Sequence, residues 1–301
     1  MLDTGIVAAR FLQFVAASLL FGVGSFCLYG LRADAPAPLW PKTTISWAAI
    51  LALFSTMAWF ILTMMSITDE NFTATLVDFP ALLAGTSFGH VVLVRLLAAL
   101  AVLQPIATFA TPRLQTVFAA LYTASLAWTG HAVSDDGWPG VVHLGGDVVH
   151  LLTAAAWLGA LPALLTLLVR ARKSGTAIDI ADAHHGLVRF SAVGPLIVAA
   201  LGLTGLMNPW FLIGPQHVDA LVNLLYGRLL FFKLALFAAM LVLAAQNRFR
   251  LTPRLADGMA RADSATALTA LQRSVLLETI MGAAVLVLVA WLGNLAPPIS
   301  N

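Results

Sequence analysis

The sequence predicts an all-α polytopic membrane helix bundle of eight transmembrane helices, arranged as two parallel four-helix repeats. Three observations carry this. Of 301 residues, 60% are hydrophobic and only 10% are charged, against about 45–50% and about 25% in soluble domains. Apolar runs of bilayer length recur along the whole chain. The second half of the chain also echoes the first. A soluble core of this size could not hide so many apolar side chains and still present a wet surface. A soluble enzyme, a nucleic-acid binder and a disordered chain are therefore excluded, and the first partner of the chain is the lipid bilayer.

The segments follow in order. About 20 apolar residues cross a bilayer core, and eight such stretches span 5–30, 44–67, 88–109, 114–131, 143–169, 188–211, 226–246 and 274–295. The first has no basic stretch before it and reads as a retained helix rather than a cleaved leader. Small residues such as Gly22 and Gly24 mark close helix contacts within it. The third and fourth are parted by the turn Thr111-Pro112-Arg113. No soluble domain fits between segments, so 1–301 is a single membrane domain. The one cysteine, Cys27, excludes an intrachain disulfide and a thiolate metal cluster.

Lysine and arginine placement orients the bundle. Arg32, Lys42, Arg113, Arg170, Arg172, Lys173, Arg248, Arg250, Arg254 and Arg261 fall after segments 1, 3, 5 and 7. Asp69, Glu70, Asp78, Asp135, Asp136 and Asp219 fall after segments 2, 4 and 6. The basic connections are expected on the cytoplasmic side, and both termini on the periplasmic side.

The repeat appears when Gly22 is aligned with Gly159. Arg10 then falls on Asp147 and Gln13 on His150. Phe88-Gly89-His90 leading to Arg95 matches Tyr226-Gly227-Arg228 leading to Lys233. Halves of 1–135 and 136–301 with an even number of helices each would be parallel, with a pseudo-twofold along the membrane normal. His90, His131 and His150 have no histidine counterpart in the other half.

Ionisable residues inside a bilayer are costly and functional by default. His143, Asp147 and His150 stand at i, i+4 and i+7, on one helical stripe. The two histidines are about 10 Å apart in rise, so they need other residues to hold one ion. Asp147 is either a ligand or the group that fixes a histidine tautomer. With His90 and His131 at neighbouring segment ends, they place imidazoles and a carboxylate in the outer third of the membrane, which suits a transition metal. Thioethers at Met64, Met65 and Met207 would favour a cuprous ion, although membrane methionines usually serve packing. Arg10, Arg95, Arg228 and Lys233 either snorkel, tie helices together or hold an anionic group. His184, His185 and His217 read as loop residues, and Glu278 as a partner of Arg273 or a snorkelling residue.

These residues resemble the copper resistance protein D (CopD) family. The resemblance rests on Gly130-His131-Ala132, His143-x3-Asp147-x2-His150, Trp157-Leu158-Gly159, Arg189-Phe190-Ser191, Gly202-x-Thr204-Gly205, Tyr226-Gly227-Arg228-x4-Lys233, Asn247-Arg248 and Thr86-x-Phe88-Gly89-x5-Arg95. It covers nearly the whole chain, with its core at 130–295. It implies a bacterial inner-membrane protein that handles copper, as Cu+ or Cu2+, and moves it inward. The implied partner is a periplasmic copper-binding protein of the CopC type, which must be a separate chain here. The expected metal site is His90, His131, His143, Asp147 and His150, with Met64, Met65 and Met207 as further ligands. No enzymatic activity is expected, and no Walker-type GxxxxGK[ST] is present to drive pumping. The inner half offers only Cys27 and Glu278 along a copper path. The alternative is a haem- or quinone-binding membrane oxidoreductase, with His90 and His150 as axial ligands and the basic residues on propionates or a quinone.

Overall fold

The computed structural model describes residues 2–32, 39–69, 71–103, 111–129, 137–213 and 225–295. His131 and His217 lie outside them. The described residues are helical, with no strand among them.

Helix α1, Leu2–Gly30, carries Asp3 in its first turn, where a carboxylate complements the helix dipole. It passes through a π-helical stretch at Ser18–Val23. Helix α2, Trp40–Thr68, has Pro41 in its first turn and ends on Asp69 in the left-handed region. Helix α3, Phe72–Gly85, is capped by the Asn71 side chain, which accepts from the Ala74 N–H at 3.0 Å. Helix α4, Ser87–Leu103, leaves α3 at 90°. The sequence placed 68–87 in an outer loop, and its α3 helix is the main departure from expectation. Thr86 makes the corner. Its hydroxyl donates to Leu82 O at 2.7 Å and accepts from the Gly89 N–H at 2.8 Å. A side chain at Gly89 would collide with the Leu82 and Leu83 carbonyl oxygens, so the corner requires glycine.

Helix α5, Pro112–Ser125, continues as a 3-10 turn over Leu126–Thr129. Helix α6, Gly137–Ser174, and helix α7, Ala177–Ile213, meet at a tight turn with Gly175 at φ +62°. Arg170 Nε and Asp179 Oδ1, 2.7 Å apart, close that turn. His184 and His185 therefore lie on helix α7 rather than in a loop. Helix α8, Leu225–Ala260, runs on through a π-helical stretch at Asn247–Leu251. Arg248, Arg250 and Arg254 are thus helical as well. Helix α9 is Ala265–Leu292.

Among the described residues, six helices are long and apolar enough to cross a membrane, or seven if the bent α3–α4 pair is one span, against the eight expected from the sequence. Phe54, Leu196, Leu203, Leu206, Phe231 and Phe232 are exposed, as expected of surface facing lipid tails.

Helix α6 is the hub. It packs on α7, α9 and the π-helical stretch of α1. At its crossing with α1, Gly22 and Gly159 meet. A side chain at Gly22 would collide with Ala155 O and Gly159 Cα, and one at Gly159 with Ser18 O and Gly22 Cα. One apolar cluster surrounds Trp157, Leu161, Leu164, Leu168, Met240 and Leu271. Another, built on Ala16, Ala17, Ala48, Ala49, Ala52 and Ala98, joins α1, α2 and α4 through small residues that let backbones approach.

Candidate functional site: a polar stripe and cavity on helix α6

Of the stripe foreseen on α6, His150 faces α7 and Asp147 lies near Lys233 of α8. His143 is buried at 1% exposure. One turn on, a side chain on Gly146 would stand 3.2 Å from Met207 Cε and 3.7 Å from its Sδ. Glycine therefore lets the α7 thioether rest on α6 between the two histidines. His150 follows, with Nδ1 2.9 Å from Thr204 Oγ1. The Thr204 hydroxyl directs its single proton to Ala200 O at 2.7 Å, so its oxygen accepts from the His150 Nδ1–H. That fixes the neutral tautomer and leaves the lone pair on Nε2. Lys233 on α8 interacts electrostatically with both Asp147 and His150.

His150 and Lys233 also line a cavity of about 440 Å³ between α1, α6, α7, α8 and α9. Arg10 of α1 and Tyr226 of α8 join them, and Trp157, Phe237 and Met240 line it further in. Arg10 lies against Gly293, at the end of α9, and its Nε is buried without a hydrogen-bond partner. The cavity wall is mostly apolar, with its cations and imidazole at one end.

The N-terminal half holds its polar groups differently. Arg95 is fully buried. It donates to Ser125 Oγ at 3.2 Å, Ser125 O at 3.0 Å, Thr129 Oγ1 at 3.1 Å and Gln13 Oε1 at 3.3 Å, and lies over the Trp59 ring. Such saturation by fixed acceptors marks a structural cation. His90 is exposed on the α3–α4 corner, with Nε2 2.8 Å from Ala84 O. A carbonyl only accepts, so Nε2 carries the proton and Nδ1 the lone pair. Met64 is buried in an apolar cluster with Ile6, Trp59, Phe60 and Val92, while Met65 is half-buried. Arg228 is exposed, as snorkelling requires.

The structure thus gathers His143, Asp147, His150, Met207 and Lys233 along α6 and its neighbours. Among the described residues, no three of His, Cys, Asp and Glu lie close enough to share one metal ion. Sequence reasoning missed Thr204 as the group that sets the His150 tautomer. It also missed the partners of Glu278, which is buried far from solvent and bonded to Trp157 and Asn247 rather than to Arg273.

Residues 1–141 match the copper resistance protein D-like N-terminal domain, and residues 185–292 match the copper resistance protein D family. The chain is 33% identical to copper resistance protein D of Pseudomonas syringae pv. tomato, over 97% of this chain and 96% of that protein. It is 29% identical to inner membrane protein YebZ of Escherichia coli, over 97% and 98% of the two chains. A further similarity, 32% identity over 57% of this chain and 28% of the relative, is to copper transport protein CutJ of Bacillus subtilis. No solved structure matches. Two family matches that together span most of the chain, and a relative aligned nearly end to end, place this polytopic helical protein in the copper resistance protein D family.

Proposed function

We propose that the protein is a multi-pass inner-membrane copper-handling protein that binds copper on the α6 stripe and passes it inward. Copper arrives from the periplasmic side, delivered by a separate CopC-type protein. His143, Asp147 and His150 take the ion in turn along the stripe rather than together, Met207 adds a thioether between them, and His90 and His131 serve as entry ligands as copper is received. The observation that carries this reading is Met207 seated on Gly146 between His143 and His150, with the His150 tautomer fixed for ligation through Nε2. Imidazole and thioether together favour Cu+ over harder cations.

The cavity favours a second reading. His150, Arg10 and Lys233 at one end of an apolar chamber suit an amphiphile with an acidic or carbonyl head, such as a haem or a quinone. One experiment separates the two. Purified wild type is compared with His143→Ala, Asp147→Ala, His150→Ala and Met207→Leu for bound copper and for visible absorption. The copper reading expects bound copper in wild type, lost or reduced in each variant, and no Soret band. A Soret band lost in His150→Ala turns the assignment to haem, and unchanged copper in all four variants overturns the α6 site.

A further inference from the structure

Glu278 is a carboxyl in the middle of α9 with 1% exposure. Its two oxygens are held by helices on either side. Trp157 Nε1 of α6 donates to Oε1 at 2.8 Å, and Asn247 Nδ2 of α8 donates to Oε2 at 3.2 Å. Both donors are neutral. The charged groups on the elements packed against it are bonded to other partners, exposed or far along the helices, and the α6 cation that reaches α9, Arg172, donates to Gln272 Oε1 at 2.8 Å. Arg248, next to Asn247, donates to Ser191 O and lies over the Phe249 ring. Arg254 and Asp257, on the last turns of α8, are exposed, as is Arg273 one turn back on α9. Arg10, from α1, meets α9 at Gly293, about 22 Å along the helix. Lys233 is 14 residues before Asn247 on α8, or about 21 Å.

A site made for a permanent carboxylate would supply a cation or charged donors. A site made for a permanent acid would supply only an acceptor. Asn247 supplies both, because an amide presents a donor and an acceptor side by side. Its Oδ1 is buried without a partner. Turning the amide over brings Oδ1 to the carboxyl, where it accepts from a protonated Glu278, while Trp157 keeps its bond to Oε1. Asn247 also opens the π-helical stretch of α8, a local widening that recurs where helices carry function.

Open spaces lie next to the carboxyl's donor Trp157 and to the neighbour of its donor Asn247. Trp157 lines the 440 Å³ cavity. Arg248, the residue after Asn247, lines with Thr252, His184 and Ser191 a pocket of about 340 Å³ at the basic end. We propose that Glu278 is a proton-carrying site in the C-terminal half, reached from the cavity past Trp157 and from the basic-end pocket past Asn247. Resting on the copper-transport reading, its proton moves against copper, so that an entering cation is matched by a leaving one and the membrane core is not left charged.

Two measurements test this. Infrared titration of reconstituted wild type and Glu278→Gln follows the carboxylic-acid carbonyl stretch. Wild type should gain this band as pH falls, and Glu278→Gln should lack that component. Vesicles loaded with a pH dye are then given a copper gradient. Wild type should show a copper-driven proton signal. Glu278→Gln, which can still bond Trp157 and Asn247, should keep its bound copper and fall to the signal of protein-free vesicles, and Glu278→Asp should recover it in part. An infrared titration identical in the two proteins, or an unchanged proton signal in Glu278→Gln, overturns the proposal. Wild-type vesicles that take up no copper would sink the transport reading alone, and the infrared titration would still decide Glu278.

Discussion

Thr204 controls His150 through one hydrogen bond, and its effect can be isolated. Its hydroxyl is committed to Ala200 O, so it can only accept from Nδ1. Valine has the same shape and no acceptor. In Thr204→Val, the imidazole is free to change tautomer and present Nδ1 rather than Nε2. Loss of a group that orients a ligating histidine typically costs about 10–100-fold in metal affinity. Competition with a cuprous chelator should therefore show weaker copper binding of that order in Thr204→Val. Thr204→Ser, which keeps the oxygen, should restore it. Equal affinity in Thr204→Val and wild type would mean that His150 is not a ligand. The stripe of His143, Asp147 and His150 was legible in the sequence because helical periodicity alone puts these positions on one face. Thr204 was not, because its partner is 54 residues away and only the packing of α7 on α6 brings them together.

At the scale of elements, the α1–α6 crossing depends on two glycines whose backbones touch. Adding a methyl group there is overpacking against backbone atoms that cannot step aside. Such changes cost about 1–3 kcal/mol. Gly159→Ala should therefore lower the thermal midpoint in detergent. Gly194→Ala is the control, since nothing lies near its missing side chain. There the better helix propensity of alanine, about 1 kcal/mol, should hold or raise the midpoint. The double variant Gly22→Ala with Gly159→Ala should depart from additivity, because both substitutions press on one contact. The small size of Gly22 marks it as a close-packing residue in the sequence, but periodicity within one helix does not identify the helix it meets. The bent α3–α4 pair escaped the sequence for a different reason. Its first helix is a 14-residue segment interrupted by Pro80, too short for a bilayer template and hence read as loop. The hydrogen bonds of Thr86 that define the corner are local, and they fall within the Thr86-x-Phe88-Gly89 motif.

For the whole molecule, the α1–α6 contact supports the proposal of two repeated halves. The alignment that pairs Gly22 with Gly159 also pairs Ser18 with Ala155, and the collisions at the crossing are reciprocal between these positions. A twofold relation between the halves predicts reciprocity of this kind, as does the close crossing of any two small-residue stripes. The polar groups follow the same correspondence and then diverge. Arg95 bonds Gln13 in the first half, while Lys233 acts on His150, the counterpart of Gln13, in the second. The first half thus keeps a saturated structural cation where the second keeps an imidazole in a cavity. A parallel repeat also requires both halves to start from the same side of the membrane. With basic residues gathered at the α6–α7 turn and along the end of α8, the positive-inside rule predicts both termini on the periplasmic side. Cysteine accessibility tests this, because Cys27 is the one native cysteine. In a Cys27→Ser background, Asp3→Cys and Asn294→Cys should react with an impermeant maleimide in intact spheroplasts. Lys173→Cys and Arg254→Cys should react only after permeabilisation. The reverse pattern would invert the bundle and place the α6 stripe on the cytoplasmic side, where a periplasmic copper carrier could not reach it. Labelling of Asp3→Cys and Asn294→Cys from opposite sides would rule out the parallel repeat itself, whatever the stripe binds.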